Sequence, residues 1–352
     1  MLLVLLSIAT IVLQLVTWLP LTGHPHWIIR SFEFARLQFA TLAGLLLVAL
    51  LCFLDLNTVL PWVLIAATVL CLIWQMSWIL PYTRLSPVEV IDAGSVDPDR
   101  LLRIMTANVL ISNRDSQKLI ELVRQHQPDI FVTLESDHWW QDQLDVLEFE
   151  LPHTIKCAMD NGYGMHVFAR LPLSEVETKY LVEHDKPSMH ALLTLRSGDV
   201  IRAHFLHPAP PFPSENPTTT ERDAELITVA RMASTSRYPV IVTGDFNDVA
   251  WSPSTRLFRK ISGLLDPRVG RGMFNTFHAI YPWFRWPLDY LFHSRHFTLV
   301  SLKRLPRHGS DHFALFTELA YAPSRLAEQE GLKADADDHA QAQEIMDEEP
   351  EQ

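Results

Sequence analysis

The chain has 352 residues, is 48% hydrophobic and carries a formal charge of -12, long enough for one large domain or two smaller ones. Its acidic balance excludes a uniformly basic nucleic-acid binder, although residues 251–321 hold ten basic residues against four acidic ones and so keep a local positive bias. Only three cysteines occur, Cys52, Cys71 and Cys157, spaced too widely for a disulfide framework or a cysteine-based zinc site, and their scarcity points to a reducing compartment for the polar part of the chain.

Three apolar runs open the sequence, Leu2–Leu19, Leu37–Leu54 and Val59–Leu80. A membrane-spanning helix needs about 20 such residues, and backbone groups in lipid must be paired within the segment, so residues 1–85 are read as three transmembrane helices (about 2–19, 37–54 and 59–80). The first run lacks the basic start and small-residue cleavage site of a signal peptide. Trp18, Trp27, Trp62, Trp78 and Tyr82 sit at the run ends, where interfacial aromatics belong. Three spans put the 21–36 loop and everything after residue 85 on one side. Arg30, Arg36, Arg84, Arg100 and Arg103 lie near the membrane there, whereas the opposite side has no Lys or Arg, so the positive-inside rule expects the polar part in the cytoplasm.

Residues 86–99 read as a polar linker and residues 100–321 as one globular domain. Within the latter, Leu101–Leu110 alternates as a strand ending in Asn108, Ser116–His126 has a helical apolar face, and Asp129–Leu134 is an apolar strand ending at Glu135. Gly164–Ala169, Met189–Leu195 and Val200–Leu206 read as strands, the last ending at His207 before a proline-rich loop, 208–217. A helix is expected over Thr218–Met232. The run Pro239–Val242 then breaks at Gly244 and delivers Asp245 and Asn247, which face the same way on an extended chain. Pro253–Ile261 fits a helix; Pro287–Phe292, carrying Asp289, and Phe297–Leu302 fit strands; Ser310-Asp311-His312 leads into a last strand, Phe313–Leu319. The acidic tail 322–352 has too few apolar residues for a core and is expected to be disordered. His204 falls on the opposite strand face from His207 and reads as structural; His293 and His296 read as surface residues. Trp283, Phe284 and Trp286 could stack a base, touch lipid headgroups or simply pack the rim.

Polar residues thus recur at strand ends: Asn108, Glu135, His207, Asp245, Asn247, Asp289, Asp311 and His312. In sheet proteins such residues converge on one rim. Carboxylates suit Mg²⁺ or Mn²⁺, amides suit phosphate oxygens, and imidazoles serve charge and proton transfer, which together are the groups needed to hydrolyse a phosphate ester.

The ordered segments TANVL, TLES, HP, GDFND, PLDYLF and GSDHF resemble those of the endonuclease/exonuclease/phosphatase superfamily over roughly residues 100–321. The preceding spans and the HPAPP segment at His207 resemble its membrane-anchored bacterial branch. The resemblance implies an α/β fold, a four-layer α/β/β/α sandwich with two central mixed sheets, and a phosphoesterase site needing Mg²⁺ or Mn²⁺. It implies Glu135 as principal metal ligand, with Asn108 and Asp311 contributing. Asp245 would position or deprotonate the attacking water and Asn247 would hold the phosphate. His312, oriented by Asp289, would stabilise the pentacovalent phosphate or act as base, and His207 would bind phosphate. A cationic His312 beside Asp289 favours the stabilising role, and the choice of base between Asp245 and His312 stays open. The expected protein is a multi-pass enzyme of the bacterial cytoplasmic membrane. Its partners would be the bilayer and a phosphate ester: a lipid headgroup, an inositol phosphate or nucleic acid. No protein partner is expected. A tethered nuclease and a non-catalytic membrane scaffold are the competing readings.

Overall fold

The structure is a computed structural model that describes residues 1–212 and 215–348. The N-terminal 82 residues form α1 (Leu2–Trp18), a short α2 (Trp27–Phe34), α3 (Arg36–Phe53) and α4 (Val59–Ile79). Three segments, Leu2–Thr22, Arg36–Phe53 and Val59–Tyr82, are long and apolar enough to cross a membrane. Their outward faces carry exposed Leu, Ile and Val, and small or weakly polar residues, Ala43, Cys71 and Thr68, are buried between helices.

The strands and helices that follow are β1 (Leu101–Asn108), α5 (Ser116–His126), β2 (Ile130–Leu134), α6 (His138–Leu144), β3 (His153–Cys157), β4 (Met165–Ala169), β5 (Leu173–Lys179), β6 (Ser188–Thr194) and β7 (Val200–Leu206). Then come α7 (Thr220–Ser234), β8 (Val240–Asp245), α8 (Pro253–Ser262), β9 (Asp289–His293), β10 (Phe297–Arg304), β11 (Leu315–Tyr321) and α9 (Ala336–Asp347). They build two mixed sheets, one ordered β10-β11-β1-β2-β4-β3 and one ordered β5-β6-β7-β8-β9. Alternate residues of the two sheets, among them Ile104, Val132, Val167, Ile201, Ala203 and Ile241, pack together as the central core. The other face of the first sheet is covered by α5 and α6 through Leu119, Val123, Trp140 and Leu144 against Phe131 and Phe168. The other face of the second is covered by α7 and α8 through Val229, Ala230, Leu257 and Phe258 against Val242 and Phe292. This is the expected four-layer sandwich.

Topology decides which residues share a rim. Strands β1 and β2 are parallel, as are β7 and β8, so Asn108, Glu135, His207 and Asp245 all sit at or just after C-terminal strand ends. Strand β9 runs antiparallel to β8 with Asp289 opposite Asp245, and β11 runs antiparallel to β1 with Leu315 opposite Thr106. Both antiparallel strands therefore begin at this rim, which brings Asp289 and the Asp311–His312 segment to it. Gly244 permits the close β7–β8 approach: its φ is 152°, and a Cβ there would lie 1.9 Å from the Leu206 carbonyl oxygen.

Two expectations are corrected. The tail is not disordered throughout: α9 begins with an Asp335–Asp338 capping box, buries Ala342, packs against α7 and α8, and its Asp338 accepts from Lys260 at 2.7 Å. Residues 349–352 lie outside the described residues, as do 213 and 214 of the proline-rich loop. The expected linker is packed against the domain: Val90 is buried in the central core, and Glu89 forms an ion pair with Arg259 at 2.6 Å. Sequence reasoning also missed β3 and β5. The latter is a sheet-edge strand whose middle residues are exposed, so it lacks apolar alternation.

The membrane-type helices are fastened to the sandwich. Trp27 N–H donates to the Pro217 carbonyl (3.0 Å), Thr219 N–H to the Pro25 carbonyl (2.9 Å), Trp251 Nε1–H to the Glu33 carbonyl (2.9 Å), and Tyr82 Oη to the Ala250 carbonyl (2.5 Å). The 21–36 loop and the sandwich therefore lie together at one end of the helices.

Candidate active site

At the rim a row of polar side chains runs across both sheets. Asn108 Nδ2 donates to Glu135 Oε1 (2.8 Å) and to Asp245 Oδ2 (3.1 Å). Asp245 Oδ2 lies 3.6 Å from His312 Nε2, and His312 Nδ1 lies 2.8 Å from Asp289 Oδ2. Beneath it, Thr106 Oγ1 and Thr243 Oγ1 meet at 2.7 Å and tie the two sheets together. Asn108, Asp245, Asp289, His312 and His207 are buried, whereas Glu135, Asn247 and Asp311 are part-exposed and form the lip of the opening.

Two lip residues hold uncommon backbone: Glu135 has φ 59° and Asn247 φ 50°. Non-glycine residues pay conformational energy for the left-handed region, and such positions cluster at functional sites. Ile111 N–H donates to Glu135 Oε2 (3.3 Å). Asn247 is fixed by its own N–H to Asp245 Oδ1 (2.9 Å) and by Nδ2 to the Pro208 carbonyl (3.0 Å). Asp311 makes no hydrogen bond to Glu135 among the described residues. Its carbonyl accepts from Ala279 N–H (2.6 Å), and its carboxylate accepts from Ser310 Oγ (3.3 Å).

The electrostatics sort these groups. Burial alone would depress the His312 imidazole, but Asp289 and Asp245 outweigh it and raise its pKa to about 10, so the ring is cationic at neutral pH. Burial raises Asp245 to about 6 against the opposing pull of His312, and Asp289 adds to the rise. Burial also raises Glu135, while Asn108 and His312 oppose it. His207 is lowered by burial; its Nδ1 has no hydrogen-bond partner among the described residues, and its ring rests 5.3 Å from that of Tyr163. The His312 Nε2–Asp245 separation is too long for a hydrogen bond, so that N–H is left free for an incoming group.

Asp245, Asp289 and His312 could themselves be taken for a cation site, since one ligand atom of each lies within 4.8 Å of the others. The hydrogen bond from His312 to Asp289 and the cationic ring argue against it. At the lip, Glu135 and the Asp311 carboxylate could also hold a cation, presenting oxygen with no Lys or Arg ion pair among the described residues. Four carboxylates, Glu135, Asp245, Asp289 and Asp311, share the rim with one cationic imidazole, an imbalance that a divalent cation would offset.

Some neighbours were not singled out from the sequence. His308 is fully buried, burial lowers it to about 4, and its Nε2 lies 3.3 Å from the Asn108 carbonyl. Arg222 on α7 donates to the Asn247 carbonyl (2.9 Å) and forks onto Asp223 (2.8 and 3.0 Å). Both lie in stretches whose stronger signals are others, the SDH tripeptide and the apolar face of α7. Their placement depends on tertiary contact. His204 is structural as expected, its Nδ1 2.7 Å from that of His190. His293, expected at the surface, is fully buried in β9, and its Nδ1 lies 2.9 Å from the Ser294 carbonyl.

Comparison with known proteins bears on the family and the fold. The Endonuclease/Exonuclease/phosphatase family matches residues 105–312. No sequence among curated proteins matches the chain. Among solved structures, the human Nocturnin catalytic domain with bound sulfate is 18% identical, covering 64% of this chain and 97% of that one at a TM-score of 0.52. TDP2 from D. rerio, complexed with a single-strand DNA product, is 16% identical, covering 62% and 98% at 0.53. An endonuclease/exonuclease/phosphatase from Beutenbergia cavernae is 17% identical, covering 63% and 72% at 0.51. At these identities the likeness shows the shared sandwich. The family match over more than half of the chain goes further: this chain belongs to the endonuclease/exonuclease/phosphatase family of metal-dependent phosphoester hydrolases.

Proposed function

We propose that the chain is a membrane-anchored phosphoesterase that hydrolyses a membrane-proximal phosphate ester by attack of water, with Mg²⁺ or Mn²⁺ as cofactor. The observation that carries the reading is the convergence of two hydrogen-bonded groups at the mouth of the sandwich, Glu135–Asn108–Asp245 and His312–Asp289, which approach to 3.6 Å between Asp245 Oδ2 and His312 Nε2. Glu135 would hold the cation, assisted by Asn108 and Asp311. When bound, the ion supplies positive charge to the phosphate oxygens. Asp245 is ionised at neutral pH yet close enough to neutrality to accept a proton from water, which suits a general base. His312, kept cationic by Asp289, directs its free Nε2–H at the charge that develops on phosphorus-bound oxygen. Asn247 and His207 bind the phosphate, Asn247 steadied by Arg222. The division of roles assigns the base to Asp245, because a ring protonated up to about pH 10 is a poor proton acceptor.

Three segments long and apolar enough to span a membrane support a site held at a bilayer, and the arginine bias of the 21–36 and 84–103 segments supports the cytoplasmic side of a bacterial inner membrane. Activity of a periplasm-only reporter fused to the C-terminus would reverse the sidedness. The functional test uses the purified full chain in detergent, with Mg²⁺ and with EDTA, against phospholipids, inositol phosphates, plasmid DNA and RNA. Cation-dependent phosphate-ester cleavage in one of these classes is expected, with lipid substrates favoured. Silence on all of them, with cation bound, would favour a scaffold. Cleavage confined to DNA or RNA would favour a tethered nuclease.

A further inference from the structure

The 277–286 segment joins the reaction centre to the membrane-type helices. At one end the Phe277 ring lies 4.9 Å from that of His312, and Ala279 N–H donates to the Asp311 carbonyl (2.6 Å). At the other, Trp286 packs edge-on against Phe34 of α2 with ring centroids 5.8 Å apart, and Gln38 Nε2 donates to the Trp283 carbonyl (2.8 Å). Gln38 is the third residue of α3, about 3 Å along its axis from the first residue of an apolar span. Between these anchors the chain turns outward. Ile280 is 49% exposed, Tyr281 57%, Trp283 82% and Phe284 57%. Four large apolar or aromatic side chains, interrupted only by Pro282, thus stay about half or more exposed, although Tyr281 meets the His278 ring and Phe284 that of Trp286.

Cations flank this lip. The guanidinium groups of Arg285 and Arg304 sit over the Phe313 ring at 5.1 and 4.3 Å, directly after His312. Neither they nor the exposed Arg307 has an ion pair among the described residues. Arg285 donates to the His278 and Ala279 carbonyls and Arg304 to that of Asn275, so both keep their charge without a carboxylate. Trp and Tyr at an apolar–water boundary beside such arginines suit the interface of an anionic bilayer, where rings take the headgroup level and guanidiniums meet lipid phosphate.

We infer that Ile280–Phe284 is a second, non-spanning membrane contact, a lip that enters the headgroup layer of the bilayer crossed by α3 and holds the Glu135–His312 rim against it. The substrate class that fits is a phosphate ester carried on a bilayer-resident lipid. This rests on the membrane-spanning reading above and deepens it. Because the lip is tied to both the Asp311–His312 segment and the first turn of α3, its depth and the depth of the catalytic rim are set together.

The test places one bimane reporter at a time on the full chain, with Cys52, Cys71 and Cys157 replaced by alanine, in nanodiscs of phosphatidylethanolamine and phosphatidylglycerol with or without brominated acyl chains. Reporter sites are Trp283→Cys, Tyr281→Cys as a second lip position, Leu45→Cys on the exposed face of α3, and Phe149→Cys. The last precedes β3, at the sheet end opposite the rim. Loss of most of the fluorescence at 283, 281 and 45, with none at 149, is the expected result. Quenching at 45 with none at 283 or 281 overturns the lip while leaving the spans in place. No quenching at any position overturns both. An unquenched lip reporter that responds instead to a single-stranded oligonucleotide assigns the aromatics to base stacking and also overturns the proposal.

Discussion

Two of the sandwich's buried histidine sites have opposite outcomes. At the rim, His312 lies between Asp289 and Asp245, and its pKa rises to about 10. On the outer face of the second sheet, His190 and His204 face each other across β6 and β7, where burial lowers them to about 4 and about 3. Both sites remove an imidazole from water, so burial is not what separates them. A carboxylate within hydrogen-bond reach turns a buried ring into a fixed cation, whereas another imidazole leaves it neutral. The first can act on an anion; the second only holds strands together.

The largest difference between the two sites should appear in turnover. His312→Ala is expected to lower phosphoesterase activity roughly 100- to 10,000-fold with the fold intact, whereas His204→Gln should leave turnover near the parent level. Equal losses in the two variants, each checked by circular dichroism, would erase the distinction. Next is Asp289→Asn. Asp289 is the largest contributor raising His312, so its removal should move the alkaline limit of activity downward by about 1 to 3 pH units. An unmoved alkaline limb in the rate profile would show that His312 does not need its charge.

The neutral pair makes its own prediction about stability. The folded pKa values of His190 and His204 lie below the ordinary 6.5, so the unfolded chain binds more protons in that interval. Their contribution is fully present above pH 6.5 and is lost as pH falls through about 4 for His190 and about 3 for His204. Replacing both with glutamine should flatten the acid side of the unfolding midpoint against pH. His312 has the opposite sign: its contribution is complete below pH 6.5 and disappears as pH rises through about 10. The smallest expected effect is at the joint beneath the rim. Thr243 Oγ1 donates to the Tyr290 carbonyl at 2.6 Å, so Thr106 is the donor in the Thr106–Thr243 pair. Thr106→Val should cost about 1 kcal/mol in a denaturant titration, with little effect on turnover.

Much of this arrangement is legible residue by residue. The run Val240–Val242 broken by Gly244 marks a buried strand, and all of β8 is covered. The strand-end acids and amides mark a rim because parallel strands deliver their C-terminal ends together. What escapes depends on contacts that periodicity does not encode. Helix α9 is held by one buried alanine, a few apolar side chains and the Lys260–Asp338 pair, so its sequence resembles a solvated tail. His308 and Arg222 touch the rim through backbone carbonyls, which carry no residue signature. The aromatics before β9 divide in a way their spacing does not foretell: Trp286 packs, while Trp283 stands free.

If the rim network is the reaction centre, its most direct test is phosphate-ester turnover by the purified full chain with Mg²⁺. The parent is measured beside Asp245→Asn, a change that keeps the shape of a side chain accepting from Asn108 and Asn247. Cation-dependent turnover in the parent and its near-complete loss in the variant, at unchanged thermal stability, are the expected results. Near-parental turnover in folded Asp245→Asn would contradict the assignment of the rim as the reaction centre.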